Sequence, residues 1–196
     1  MTRWFTSDLH FGHANIIRYS DRPFASVDHM NRALIQRWNE VVADADEVWC
    51  LGDMAMGQLD HTLPLIAELT GRKILVAGNH DRCWAGHTGR AAERVPSWID
   101  RYERAGFDEI LQGTIEMEVG GRRVLASHFP YVGDSHDADR FVEHRPADDG
   151  ETWLLHGHVH EKWQRADRMI NVGVDVWDYR PVAEETLAAL MDLPTS

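Results

Sequence analysis

The sequence predicts an α/β fold in one domain spanning residues 1–196, and three observations carry that expectation. Apolar strand-like runs alternate with amphipathic helical runs through the first half. A pair of strand runs joined by two glycines marks a change of style in the second half. The polar clusters that could carry chemistry follow the ends of strands rather than lying scattered through the chain.

Taken in order, "RWFTS" (3–7) is a short strand that breaks into the polar "DLHFGH", and "VDHMNRALIQRWNEVV" (27–42) has the apolar spacing of a helix. "EVWCL" (47–51) is a second strand ending in "GD", "LPLIAEL" (63–69) a second helix, and "KILVA" (73–77) a third strand ending in "GNHD". A helical stretch follows around 96–105. "TIEMEV" and "RRVLAS", joined by Gly120 and Gly121, carry a hairpin signal, so the second half is expected to shift toward antiparallel strands. "TWLLH" (152–156) and "RMINV" (168–172) would be two more strands, and "AEETLAALM" (183–191) a closing helix. No repeat, linker or low-complexity tract divides the chain, and 196 residues suffice for one substantial core.

The formal net charge of −12 disfavours a broad electrostatic grip on a nucleic-acid backbone and leaves only a local basic groove open. The N-terminus enters a strand-like run with no apolar signal core, and nowhere are there about 18 consecutive apolar residues. A cytoplasmic protein without a membrane partner is the expectation. Cys50 and Cys83 lack CxxC spacing and are expected to be reduced and buried.

In open α/β sheets, ligands bind beyond the carboxyl ends of the strands. Residues there include Asp8 and His10 in "SDLH", Asp53 in "LGDM", Asn79 and His80 in "AGNHD", His128 in "ASHFP", and His158 and His160 in "HGHVH". Carboxylate and imidazole donors together suit Mn²⁺, Fe, Zn²⁺ or Ni²⁺, and the absence of a cysteine cluster argues against a structural zinc site. So many ligands exceed what one tetrahedral ion takes. They suit two ions sharing a bridging carboxylate.

The order and spacing of "DLH" 8–10, "GD" 52–53, "GNHD" 78–81, His128 and "GHVH" 157–160 resemble the calcineurin-like metallophosphoesterases, over residues of about 5 to 175. The small, compact bacterial and phage phosphoesterases of that superfamily are the most similar branch, with openings such as "FTSDLHFGHANII". The resemblance implies a four-layer αββα sandwich, two mixed β-sheets packed face to face with helices outside. It implies that Asp8, His10 and His160 hold one metal, that Asn79, His128 and His158 hold the other, and that Asp53 bridges them. It places His80 beside the metals as a non-ligand. Two divalent ions are implied, Mn²⁺ first, with Fe, Zn²⁺ or Ni²⁺ as alternatives.

The chemistry of such a centre is hydrolysis of a phosphate ester by a bridging hydroxide, with His80 as general acid toward the leaving alkoxide. The protein Ser/Thr phosphatase branch extends the second motif to GDxVDRG and the third to GNHE. Here those places read "GDMAMGQ" and "GNHD", so the phosphodiesterase side is favoured. The expected partner is a small phosphodiester or a nucleotide-like ester. A nuclease or nucleic-acid end-processing enzyme is the alternative, followed by a phosphomonoesterase or a non-catalytic scaffold.

Substrate contacts are expected from the segments 81–101 and 131–150, where Arg90, Arg140, His144 and Arg145 could reach a phosphate and Trp84 could stack a base. His13 could face the site from the loop that holds His10. His156 is expected to pack or hydrogen-bond behind the metals. Asp175, Trp177 and Tyr179 could close one edge.

Overall fold

A computed structural model of the chain describes residues 1–193. Two mixed five-stranded sheets form its centre. In the first, β1 (Arg3–Thr6), β2 (Glu47–Cys50), β3 (Arg72–Val76) and β4 (Glu109–Leu111) run parallel, and β10 (Val182–Ala183) pairs antiparallel with β1. The second has the order β5 (Ile115–Val119), β6 (Arg122–Ala126), β7 (Trp153–His156), β9 (Met169–Asn171), β8 (Arg165–Ala166).

Alternation of side chains along each strand builds the layers. Phe5, Leu51 and Val76 from the first sheet meet Val124, Leu155 and Ile170 from the second in one buried cluster between the sheets. Val48, Cys50 and Leu75 point the other way and bury the helices. The expected α/β class, two mixed sheets packed face to face with helices, is therefore found. The outer face of the second sheet has a thinner cover, in which Tyr131, Leu154 and Met169 pack with Leu125 and Ala166.

The helix α2 (Val27–Asn39) starts where Ser26 accepts the backbone N–H of His29, and it buries Met30, Leu34 and Trp38 at intervals of four. It stops before the expected residue 42, because the Asp46 carboxylate takes the N–H of Ala43 and turns the chain into β2. The expected helix at 63–69 is a 3₁₀ segment, Leu63–Glu68, preceded by the single turn α3 (Leu59–Thr62). Pro64 has no N–H to continue the α-helical ladder, so the chain tightens there. α4 (Val95–Arg104) and α5 (Glu184–Met191) fall close to expectation. The single turn α1 (Ile16–Tyr19), β4, β8 and β10 were not anticipated, being too short to show a period.

The hairpin of β5 and β6 turns at Gly120 (φ +56°) and Gly121 (φ +78°), the left-handed pair a two-residue turn requires. Beyond it the expectation of antiparallel pairing holds for β8 with β9 and fails for β7. β7 pairs parallel with both β6 and β9. The segments between these strands are long enough for crossovers, which parallel neighbours need and hairpins do not. This places the carboxyl ends of β6, β7 and β9 at one rim. Cys50 and Cys83 are both free and buried. Among the described residues no helix is long and apolar enough to cross a membrane.

Candidate metal centre

Asp8 and His10 follow β1, Asp53 follows β2, Asn79 and His80 follow β3, His128 follows β6, and His158 and His160 follow β7. Both sheets thus deliver their polar ends to one rim. Donor atoms of Asp8, His10 and His160 lie within 4.8 Å of one another, as do those of Asp8, Asp53 and His128. His128 Nε2 is 3.1 Å from Asn79 Oδ1, and the rings of His128 and His158 are 5.2 Å apart. Asp53 sits between the groups, its Oδ2 3.8 Å from His10 Nε2 and 3.5 Å from His128 Nε2.

The backbone is bent to make this convergence. Asp8, His10, Asp53, His158 and His160 all have φ between +50° and +72°, and they make up five of the ten non-glycine residues with positive φ among those described. Each such residue costs roughly 1–2 kcal/mol relative to relaxed backbone, and strain of this kind gathers where geometry is functional.

Asp8 has no exposed surface, and its Oδ1 has no hydrogen-bond partner. A buried carboxylate oxygen without a donor is costly, and a cation coordinated by the imidazoles around it removes that cost. Burial pushes the Asp8 carboxyl up, but the His160 ring, its Nε2 3.5 Å from Oδ1, and the neighbouring His128 and His10 outweigh it and hold the group well below the usual carboxylate range. Burial and the neighbouring His160 push the His10 ring well below its ordinary value. Burial and His128, opposed by Asp134, bring His158 down to about 4. A neutral imidazole keeps a lone pair for a metal, so the donor set fits a divalent transition ion.

Several bracing residues were not anticipated. Asp81, the last residue of "GNHD", accepts the N–H groups of Asp53, Met54 and Gly78, tying the second motif loop to the third. Arg22 makes a buried two-pronged ion pair with Asp175 and donates to the carbonyls of Asp8 and Leu9. That contact gives Asp175 a supporting place. Asn171 donates to the carbonyls of His160 and Trp163. Asp134, on the loop after β6, accepts from His158 Nε2 at 3.0 Å.

The family model described as the calcineurin-like phosphoesterase superfamily domain matches residues 1–193. The chain belongs to the calcineurin-like phosphoesterase superfamily. It is 39% identical to the gene 66 protein of Mycobacterium phage D29, covering 92% of each chain. It is 30% identical to an uncharacterized protein of Methanocaldococcus jannaschii, covering 96% of this chain and 90% of that one. A solved structure, protein AQ665 of unknown function from Aquifex aeolicus, superposes with a TM-score of 0.68 at 27% identity, over 96% of this chain and 98% of the other. As a calcineurin-like phosphoesterase the protein is a metal-dependent hydrolase of phosphoric esters.

In this phosphoesterase the candidate ligands His10, Asp53, His158 and His160 open onto a cavity of about 490 Å³ whose walls include His13, His80 and Arg140. The His13 ring is 5.4 Å from that of His10. Arg140 reaches the same cavity while donating from Nε and Nη2 to Asp134. Arg145 stands behind it, its side chain 4% exposed and bonded to Asp139 and to the Arg140 carbonyl. His156 is fully buried, its Nδ1 bonded to the Gly157 carbonyl. Trp84 and His144 pack against each other at 4.8 Å, with Phe129 alongside. Trp84 is buried, which removes it as a surface for stacking a base. Arg90 lies elsewhere, on a second cleft.

Proposed function

We propose that residues 1–196 form one domain that hydrolyses a small phosphodiester or nucleotide-like ester at a two-metal centre, with His80 as general acid. The observation that carries this reading is Asp53, a carboxylate set between His10 on one side and His128 on the other. Asp8, His10 and His160 would hold one ion, and Asn79, His128 and His158 the second, with Asp53 shared. Bound there, two ions, Mn²⁺ first and Fe, Zn²⁺ or Ni²⁺ as alternatives, supply charge stabilisation to the phosphoryl oxygens and acidify a water for attack.

The side chains of the protein do the rest. His80 is held at the rim by its backbone N–H, which donates to Asp53 Oδ1 at 2.8 Å, while its side chain remains 40% exposed at the cavity. A ring nitrogen there can deliver a proton to the leaving alkoxide. Asn79 contributes a neutral oxygen, so the centre keeps enough positive charge to draw an anion. Arg140 and His13 line the approach and orient the ester oxygens.

Purified protein loaded with Mn²⁺ should hydrolyse bis-p-nitrophenyl phosphate faster than p-nitrophenyl phosphate. His80→Ala should lower kcat by about 10²- to 10⁴-fold while elemental analysis shows unchanged metal. Neither ester being cleaved by metal-loaded protein would overturn the proposal.

A further inference from the structure

Beside the metal cavity lies a second cleft of about 460 Å³, and its chemistry is opposite to that of the chain as a whole. Its walls carry Arg82, Arg90, Arg94 and Arg101 together with His87 and Trp98, in a protein of formal net charge −12. Asp60 is the one carboxylate on those walls, and it pairs with Arg101. Among the described residues no carboxylate forms an ion pair with Arg82, Arg90 or Arg94.

The cleft is built to hold these groups in place. Arg90 and Arg94 come from the 3₁₀ segment Gly89–Arg94, and Trp98 and Arg101 from the first two turns of α4, so helical spacing brings them to one side. The Arg101 guanidinium lies 4.1 Å from the centroid of the Trp98 ring, and that of Arg94 lies 5.9 Å away. Stacking of this kind restrains long side chains before any ligand arrives. His87 is fixed by a 2.9 Å contact between its Nε2 and the Asp81 carbonyl, at the end of the "GNHD" motif.

The linings of the two cavities meet along the chain. Gly57 of the arginine cleft follows Met56 of the metal cavity in the chain, and Arg82 lies two residues beyond His80. Unpaired guanidinium groups present planar forks of N–H donors that match phosphate oxygens. The phosphate to be cut must sit at the metals, so the cleft is left for another one.

We propose that the arginine cleft binds a second phosphate group of the substrate, so that the ester cleaved at the metal centre is a polyphosphorylated one, a short oligonucleotide or a nucleoside polyphosphate. This rests on the phosphodiesterase reading and narrows its substrate class. It also reconciles an acidic protein with an anionic substrate, because four arginines are gathered in one cleft.

The test compares Arg90→Gln/Arg94→Gln with the parent protein on three Mn²⁺-dependent substrates: bis-p-nitrophenyl phosphate, 5′-phosphorylated trithymidylate and adenosine triphosphate. Both side chains are exposed, and the charge reversal Arg94→Glu provides a second variant. Relative to kcat/KM for bis-p-nitrophenyl phosphate, the value for one polyphosphate should fall fivefold or more. A fall with trithymidylate assigns an oligonucleotide, and a fall with adenosine triphosphate assigns a polyphosphate chain. A smaller fall with both, in both variants, overturns the proposal.

Binding of both polyphosphates to the metal-free protein, followed by fluorescence anisotropy of labelled ligand, separates this proposal from the catalytic one. With a strand, the one phosphate held in the cleft should contribute a slope of about −0.7 in log affinity against log salt, and the double variant should lose that contribution. Affinity for both ligands unchanged by the substitutions sinks the cleft even if the enzyme is active. Arginine-dependent binding without hydrolysis of any diester sinks the phosphodiesterase reading and leaves the cleft standing.

Discussion

Replacing Asp134 by Asn should weaken one metal ion and spare the other. The Asp134 side chain is fully enclosed, and both its oxygens are in use. Oδ2 accepts from His158 Nε2 at 3.0 Å and from the Arg140 backbone N–H at 2.9 Å. Oδ1 accepts from the Arg140 guanidinium and from the His136 N–H. With Nε2–H committed to a carboxylate, His158 keeps its lone pair on Nδ1 and gains basicity as a ligand. An asparagine amide has one oxygen and one NH₂, so either orientation turns a donor toward donors. Loss of such a partner costs about 10- to 100-fold in affinity, or roughly 1.4–2.7 kcal/mol, for the ion that uses His158. The ion on Asp8, His10 and His160 should change by less. Competition of metal-free protein with a chelating dye for Mn²⁺ resolves the two steps. Two unchanged affinities, or equal losses in both, would refute the argument that Asp134 acts through His158.

Two further outcomes follow from burial and from close approach. Burial lowers His156 to about 4 from an ordinary value near 6.5, so the unfolded chain takes up its proton first. The stabilising contribution is therefore present above about pH 6.5 and is lost as pH falls toward 4, amounting to about 2.5 kcal/mol by pH 4.5. Urea unfolding of metal-free protein should show His156→Gln losing that part of the pH slope, and an unaltered slope would mean that burial of this ring is not the cause. At Gly157 an added Cβ would collide with Ser7 Oγ and come within 2.5 Å of Asp8 Oδ2. Gly157→Ala should cost about 1–3 kcal/mol and shrink the rise in Tm on adding Mn²⁺, as differential scanning fluorimetry would show; an undiminished rise would contradict the contact.

The strands and the residues at their ends were legible because both are local properties. Periodicity marks where β1, β2, β3, β6 and β7 run, and polar residues directly after them fall at the rim whichever way the strands pair. Pairing itself is not local. Nothing in "TWLLH" or "RMINV" says that β7 lies parallel between β6 and β9, because that depends on how the long segments between them cross. The same holds for the carboxylates that brace the site. Asp134 stands in a loop with Asp137 and Asp139 close by, and composition does not distinguish the one that folds under His158 from those that stay in water. Arg22 and Asp175 are 153 residues apart and meet only once both sheets are formed.

The three alternate histidines 156, 158 and 160 show where a period stops being informative. Strand alternation would set them on one face, which would suggest a single three-histidine box. β7 ends at His156, however, and His158 and His160 take φ of +72° and +50°. Gly157 passes so close to Ser7 and Asp8 that no side chain fits there, and the His158 N–H reaches Asp8 Oδ2 at 3.0 Å. The chain is thereby turned across the end of β1, sending His158 toward His128 and Asp134 and His160 toward Asp8 and His10. His156, still in the strand, stays in the core. One short segment thus serves both groups of candidate ligands because its backbone leaves the strand between its first histidine and its second.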